Sequence, residues 1–161
     1  MILYHGTNLS FDMVDLTKSK PNKDFGRGFY LSADYEQALA MAKIKVEQLE
    51  SGEPVVLAFE VDELEMRQLN MLCYDEYSEE WAEFIRLNRR NKSAEPAHNY
   101  DIVYGPIADD GVTFHVGNQI FTGEICQHGL SGRNPDLYVS GTVHSGSGDL
   151  PRRYRQIQTA G

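Results

Sequence analysis

The chain has 161 residues, 41% of them hydrophobic and 24% charged, which is typical of one globular domain. Residues 127–161 hold four Arg and two Asp and carry +2; with −9 on the whole chain, the first 126 residues carry −11. This acidic body would repel phosphates, so broad nucleic-acid binding is not expected. No apolar run approaches the roughly 20 residues that cross a bilayer, so no membrane association is expected.

The two cysteines, Cys73 and Cys126, have neither the spacing of metal ligands nor that of a disulfide framework. We therefore expect free thiols in a reducing cytoplasm, with a disulfide as the less favoured alternative. The N-terminus lacks the basic and apolar segments of a signal peptide. The expected location is the cytoplasm, or delivery as an effector without such a signal.

In the first half of the chain, the apolar pattern predicts strands at 2–4 and 29–31, and a polar loop at 17–28 lies between them. A helix is predicted from residue 35, capped by Ser32 or Asp34 and ending before Gly52. Apolar side chains recur along it at helical spacing, and we expect them to form a core-facing stripe: Tyr35, Ala38, Leu39, Ala42, Val46 and Leu49. The segment Val55–Val61 is β-branched and aromatic, which predicts a buried strand.

The second half predicts a helix near 76–91 with Trp81 in the core, and a strand at 102–104. A hairpin is predicted at 112–122, turning at Gly117-Asn118. Strands and helices that do not alternate strictly favour the α+β class. Residues 1–126 are interpreted as the domain, and 127–161 as a polar tail, rich in Gly and Ser between 131 and 149 and poorly packed.

Three motifs stand in order along the chain. They are Tyr4-His5-Gly6-Thr7, then residues 26–32 (GRGFYLS), then residues 100–110 (YDIVYGPIADD). Together they resemble the His-Tyr-Glu branch of the ADP-ribosyltransferase superfamily, and within it a family of small uncharacterised bacterial proteins. This resemblance implies a split β-sandwich with flanking helices, and NAD as the substrate without a metal.

The resemblance also implies site residues. His5 would hydrogen-bond the adenosine ribose, the Gly6 backbone would bond the nicotinamide carboxamide, and Tyr30 would stack on the nicotinamide ring. Phe29 would face the other side of its strand. The NAD-contacting set implied is His5, Gly6, Thr7, Gly28, Phe29, Tyr30 and Ser32.

The third catalytic position of the family is a Glu that opens a late strand. The comparable strand here begins at Asn118, which makes Gln119 the expected catalytic residue beside His5 and Tyr30, with Glu124 as the next candidate. An amide can bond the ribose hydroxyl but brings no negative charge to a cation-like ribose. The resemblance therefore implies a mono-ADP-ribosyltransferase, with an NAD glycohydrolase or an inactive module that binds NAD or a partner as alternatives.

Partners follow from the same resemblance. The acceptor would be a macromolecule or a small molecule, and small domains of this superfamily often act as toxins paired with an antitoxin or immunity protein. A loop cluster of Lys18, Lys20, Lys23 and Arg27 has two interpretations, a solvated loop face or a site that neutralises the NAD diphosphate.

Overall fold

The computed structural model describes residues 1–106 and, further along, the backbone of two strands at 136–139 and 154–157. These parts contain three α-helices and seven strands, so the predicted α+β class is confirmed. In chain order the elements are β1 (Ile2–Thr7), a 3₁₀ helix (Leu16–Lys18), β2 (Phe29–Ser32), α1 (Tyr35–Leu49), β3 (Val55–Val61), α2 (Glu63–Met66), β4 (Met71–Cys73), α3 (Glu79–Arg90), β5 (Ile102–Gly105), β6 (Asp136–Val139) and β7 (Tyr154–Ile157).

The strands form two groups. One is the antiparallel series β2–β1–β3–β7, and the other is the parallel pair β4–β5. Strand β6 pairs antiparallel with β2 on one side and with β5 on the other, and so connects the two groups. The predicted split β-sandwich is a more specific arrangement and belongs to the proposal below.

Strand β1 lies in the middle of the first group, and its two neighbours pair with it to different extents. Along β3 the pairing runs from Ile2 with Glu60 to Thr7 with Val55. Strand β1 pairs with β2 at one position, Tyr4 with Ser32. The two strands that carry the first two motifs therefore meet at one end and separate toward the other.

Side chains alternate across this sheet and build two hydrophobic clusters. The larger cluster contains the buried side chains of Leu3, Phe29, Leu31, Leu57, Phe59 and Ile102. The smaller one lies under α3 and contains Phe25, Trp81, Ile85 and Val103, with Tyr30 packed against it. Neighbouring residues Phe29 and Tyr30 thus contribute to different clusters.

Helix α1 packs on β1 through its smallest side chains. The Asp34 carboxylate caps it by accepting from the backbone N–H groups of Glu36 and Gln37 at 2.7 and 3.4 Å. The buried helix residues are Ala38 and Ala42. The ends of the predicted core stripe are wrong, because Tyr35 and Leu49 lie beyond this contact and are 44% and 60% exposed.

Helix α3 begins three residues later than predicted, because Ser78 caps it. Its hydroxyl accepts from the backbone N–H of Trp81 at 3.1 Å. The Trp81 indole is buried and donates to the carbonyl of Pro106 at 2.8 Å, which confirms its predicted place in the core. The expected hairpin at 112–122 lies outside the residues that the structure describes.

Several features depart from the sequence expectations. Cys73 on β4 is disulfide-bonded, so the expectation of free thiols is wrong for this residue. Two segments of the expected polar tail form the strands β6 and β7, while the domain boundary at 126 stays a prediction.

In the described part of the chain no helix is both long and apolar enough to span a membrane.

Candidate functional site

A cleft of about 220 Å³ opens where β1 and β2 separate. Its walls come from β1, the loop that holds the 3₁₀ helix, the start of β2 and the second half of α1. The lining side chains include four aromatic rings, three lysines and one carboxylate: His5, Phe11, Phe29, Tyr30, Lys18, Lys23, Lys45 and Asp15. The cleft is therefore cationic although the chain as a whole is acidic.

The His5 imidazole lies between the two separating strands. Its Nδ1 donates to the backbone carbonyl of Tyr30 at 2.7 Å, because a carbonyl can only accept. The ring stacks on Phe29 with the centroids 4.3 Å apart and meets the Phe11 ring edge-on at 5.9 Å. One side chain thus links β1 to β2 beyond the point where their pairing ends.

The other ring nitrogen of His5 meets a lysine. The Lys45 ammonium lies 3.3 Å from Nε2 and also donates to the Gly6 carbonyl at 2.6 Å. Since Nδ1 carries the proton, Nε2 of the neutral ring accepts from Lys45. Burial, followed by the charge of Lys45, lowers the pKa of His5 from 6.5 to about 3. His5 is therefore neutral at physiological pH.

Tyr30 is anchored through its hydroxyl. This group accepts from the backbone N–H of Phe25 and donates to the carbonyl of Gly26, both at 3.1 Å. Its ring lies parallel to that of Phe25 at 6.4 Å, and the Lys23 ammonium lies 4.8 Å from its centroid. His5 and Tyr30 both line the cleft, but the His5 ring stacks on Phe29, which was expected on the other side of the strand from Tyr30.

The turn before β2 is fixed on several sides. Asp24 is buried and accepts from Arg89 on α3 at 2.6 Å. The His98 Nε2 donates to the Phe25 carbonyl at 2.9 Å, and Gly26 has a φ of +86° that side chains rarely allow. Because the turn is held in this way, the backbone that carries Lys23 has a defined position at the mouth of the cleft.

Lys45 is a cleft residue that the sequence reasoning missed. It follows the two buried alanines of α1 at helical spacing, Ala38, Ala42 and then Lys45, and so lies on the face turned toward β1. The predicted core-facing stripe consists of apolar side chains and therefore does not include Lys45. Burial, followed by the charge of Lys23, lowers the pKa of Lys45 from 10.5 to about 8.

The residues predicted to contact NAD fall into two groups. One group lines the cleft, and it consists of His5, Gly28, Phe29 and Tyr30. The other group does not line the cleft and has a role in packing or in local structure: Gly6, Thr7 and Ser32. A Cβ on Gly6 would lie 1.9 Å from the Ala38 carbonyl oxygen, so a glycine is needed for α1 to approach. Thr7 is buried.

Ser32 has a local role at the start of α1. Its buried hydroxyl bonds the Gln37 amide oxygen at 2.8 Å and accepts from the backbone N–H of Asp34 at 3.0 Å. These contacts shape the entry into the helix. Gln119 and Glu124 lie outside the described residues, so the third catalytic position stays a prediction.

Comparison with known families gives one result. The signature of a family described as "protein of unknown function (DUF3990)" matches residues 1–131. The chain belongs to this family. The match spans all three motifs and ends close to the predicted domain boundary. Comparison with curated proteins and with solved structures gives no match to the chain.

Proposed function

We propose that this DUF3990 protein is a mono-ADP-ribosyltransferase with a split β-sandwich fold, which transfers ADP-ribose from NAD to an acceptor and acts as a bacterial toxin or effector. The observation that carries the proposal is the position of His5. Its ring lies where β1 and β2 separate and is bonded to the backbone of Tyr30, in one cleft with that residue. These two residues are among those for which the family resemblance implies contact with NAD.

The chemistry of the cleft supports this substrate. The face of the Tyr30 ring holds a cation, the Lys23 ammonium, at 4.8 Å from its centroid. The nicotinamide ring of NAD is itself a cation, so the same aromatic face suits it. The three lysines in the lining suit the anionic diphosphate.

The size of the cleft limits which part of NAD these residues would enclose. The volume of about 220 Å³ is below the roughly 300–1,000 Å³ of sites that surround a whole drug-sized ligand. The described walls therefore suit one part of the dinucleotide, the nicotinamide with its ribose or the diphosphate.

In the proposed reaction the bond between C1′ of the ribose and the nicotinamide nitrogen breaks. Nicotinamide leaves with the electron pair, and a nucleophile of the acceptor bonds to C1′ and gives up its proton. The transition state resembles an oxocarbenium ion, so the protein lowers the barrier by orientation and by electron-rich groups near the ribose. On the adenosine side of NAD, only Nε2 of the two His5 nitrogens can accept from a ribose hydroxyl, because Nδ1 donates to Tyr30.

The proposal is tested by incubating the purified protein with cell lysate and NAD labelled in the adenylate or in the nicotinamide. We expect release of nicotinamide together with transfer of the adenylate label to an acceptor. His5→Gln and Tyr30→Leu should abolish both, whereas Tyr30→Phe keeps the aromatic ring and should retain NAD binding. Melting temperatures of all variants identify a loss that comes from unfolding, since the Tyr30 hydroxyl anchors the turn.

Substitutions of Gln119 give the most specific test in this experiment. A group that acts mainly in the transition state contributes to kcat rather than to NAD binding. Gln119→Ala should therefore lower kcat at least about tenfold, a free energy of about 1.4 kcal/mol, while Gln119→Glu keeps or raises it. Gln48→Ala on the exposed side of α1 is the matched control and should leave kcat unchanged.

Each outcome separates the alternatives. Nicotinamide release without label transfer would make the protein an NAD glycohydrolase. NAD binding without nicotinamide release would make it a binding module. If NAD neither binds nor is consumed, the proposal is wrong.

A further inference from the structure

Two lysines from different elements occupy the contact positions that the proposed function assigns to NAD. Lys23, from the turn before β2, places its ammonium over the Tyr30 ring, where the nicotinamide would stack. Lys45, from α1, places its ammonium against His5 Nε2, where a ribose hydroxyl would bond. NAD can therefore reach these partners only after both ammonium groups have moved.

Neither ammonium has a close carboxylate partner in the part of the chain that the structure describes. The ion pairs found among residues 1–106 join other groups. The carboxylate of the cleft, Asp15, is already engaged, because its Oδ1 accepts from the N–H and the hydroxyl of Thr17. Asp24 attracts Lys23 from beside it but is hydrogen-bonded to Arg89 at 2.6 Å.

The charge of Lys23 also disfavours the charged form of Lys45. The pKa of Lys45 lies at about 8 because burial and the charge of Lys23 disfavour the ammonium form. The pKa of Lys23 is lowered by partial loss of hydration and by Lys20. An anion between the two groups would offset this repulsion, and phosphate oxygens are strong acceptors for ammonium donors.

We propose that the ammonium groups of Lys23 and Lys45 bind the diphosphate of the ligand, and that this movement uncovers the Tyr30 ring and His5 Nε2 for the rest of NAD. The identity of the ligand rests on the proposed function. The binding of a diphosphate in this cleft rests on the cleft and its lysines alone. The flexible four-carbon stems allow both ammonium groups to turn from their present partners without a change in the backbone.

The test compares three probes by calorimetry: ADP-ribose, inorganic pyrophosphate and nicotinamide riboside, which carries no phosphate. Lys45→Met and Lys23→Met should each weaken ADP-ribose binding at least about tenfold, the effect of losing one charge-assisted hydrogen bond. Affinity for nicotinamide riboside should stay equal or rise, because the competing ammonium is gone. Lys43→Met, on the exposed side of α1, is the matched control and should change nothing.

Folding and charge are controlled separately. Lys45→Met removes a partly buried charge together with the donor to the Gly6 carbonyl and to His5 Nε2. Its melting temperature is therefore measured beside that of the wild-type protein, and binding is compared at a temperature where both are folded. Lys45→Arg keeps the charge and should retain most of the affinity for ADP-ribose. The proposal is overturned if wild-type protein binds neither ADP-ribose nor pyrophosphate, if Lys45→Met binds ADP-ribose as tightly, or if nicotinamide riboside loses affinity in equal measure.

The failure of this inference is distinguishable from the failure of the proposed function. If diphosphates bind in a lysine-dependent way but NAD is not consumed, the transferase proposal is wrong and the diphosphate site stands. If NAD is consumed and the lysine variants are unaffected in binding and turnover, the diphosphate site is wrong and the transferase proposal stands.

Discussion

His5 is a neutral histidine that lies between the Lys45 ammonium and the backbone carbonyl of Tyr30. It accepts from Lys45 and donates to Tyr30, and it is largely withdrawn from water. Protonation at Nε2 would set two positive groups 3.3 Å apart. The native state therefore disfavours the imidazolium, and the free energy of unfolding depends on pH through this residue.

The sign of this dependence follows from the pKa values. In the folded protein the pKa of His5 is about 3, below the ordinary 6.5, so between these values the unfolded chain binds the extra proton. Stability from His5 is complete above 6.5 and is lost as the pH falls toward 3. Denaturant unfolding of His5→Gln between about pH 7 and about pH 5 should show a weaker loss of stability than the wild type.

Lys43→Gln serves as the control for this measurement, because the residue is exposed on the same helix. An unchanged pH slope in His5→Gln would show that His5 does not carry the effect.

At the residue scale, the first two motifs predicted that His5 and Tyr30 line one cleft, and both residues line it. The His5 ring, however, stacks on Phe29, which contributes to a different cluster from Tyr30. The sequence could not predict the partners of His5, because these are a backbone carbonyl on another strand and a side chain distant in the chain. Lys45 is forty residues from His5 and lies on a helix whose pattern was evaluated for apolar side chains. A charged residue at the helical spacing of the buried alanines is the sequence signal that indicates it.

At the scale of elements, the packing of α1 on β1 depends on one position without a side chain. A Cβ on Gly6 would lie 1.9 Å from the Ala38 carbonyl oxygen and 2.8 Å from the Ala42 nitrogen. Both atoms belong to the helix backbone, so the clash cannot be relieved by turning a side chain. The glycine of the first motif thus has a structural reason besides the predicted contact with nicotinamide.

Gly6→Ala should therefore lower the free energy of unfolding by at least about 2 kcal/mol, since overpacking against backbone forces the helix to shift. Urea unfolding followed by circular dichroism measures this change. Ala40→Ser adds one atom on the exposed side of the same helix and should stay within about 0.5 kcal/mol of the wild type. Equal stability of Gly6→Ala and the wild type would contradict the close approach.

The longer elements were predictable and the short ones were not. The strands β1, β2, β3 and β5 and the two long helices follow from hydrophobic periodicity and capping residues, with shifts of a few residues at their ends. Elements of three or four residues, such as β4 and α2, are too short to show a period. β6 belongs to a polar stretch, and its place between β2 and β5 depends on long-range pairing that composition does not encode.

At the scale of the whole molecule, the disulfide at Cys73 leads to a prediction about how the chain is cross-linked. The other cysteine in the sequence is Cys126, so we expect an intramolecular disulfide between these two residues. Closing a loop on the order of 50 residues restricts the unfolded chain, and the expected stabilisation is about 4 kcal/mol.

Peptide mapping without reductant should accordingly yield one linked pair of peptides that contain Cys73 and Cys126. Reduction, or Cys73→Ser, should lower the melting temperature, and reductant should have no further effect on the variant. Mapping that finds both cysteines as free thiols, or a melting temperature insensitive to reductant, would refute this assignment.

The cationic cleft in an acidic chain has a consequence for the kinetics of binding. The net charge of −9 produces a field that repels a nucleotide at long range, whereas the lysines attract it only within a few ångströms. Salt screens the long-range part more strongly, since the Debye length is about 8 Å at physiological ionic strength. Added salt therefore raises the association rate of an anionic ligand with this protein and shortens the time the ligand stays bound. In electrostatic steering, by contrast, added salt lowers the association rate.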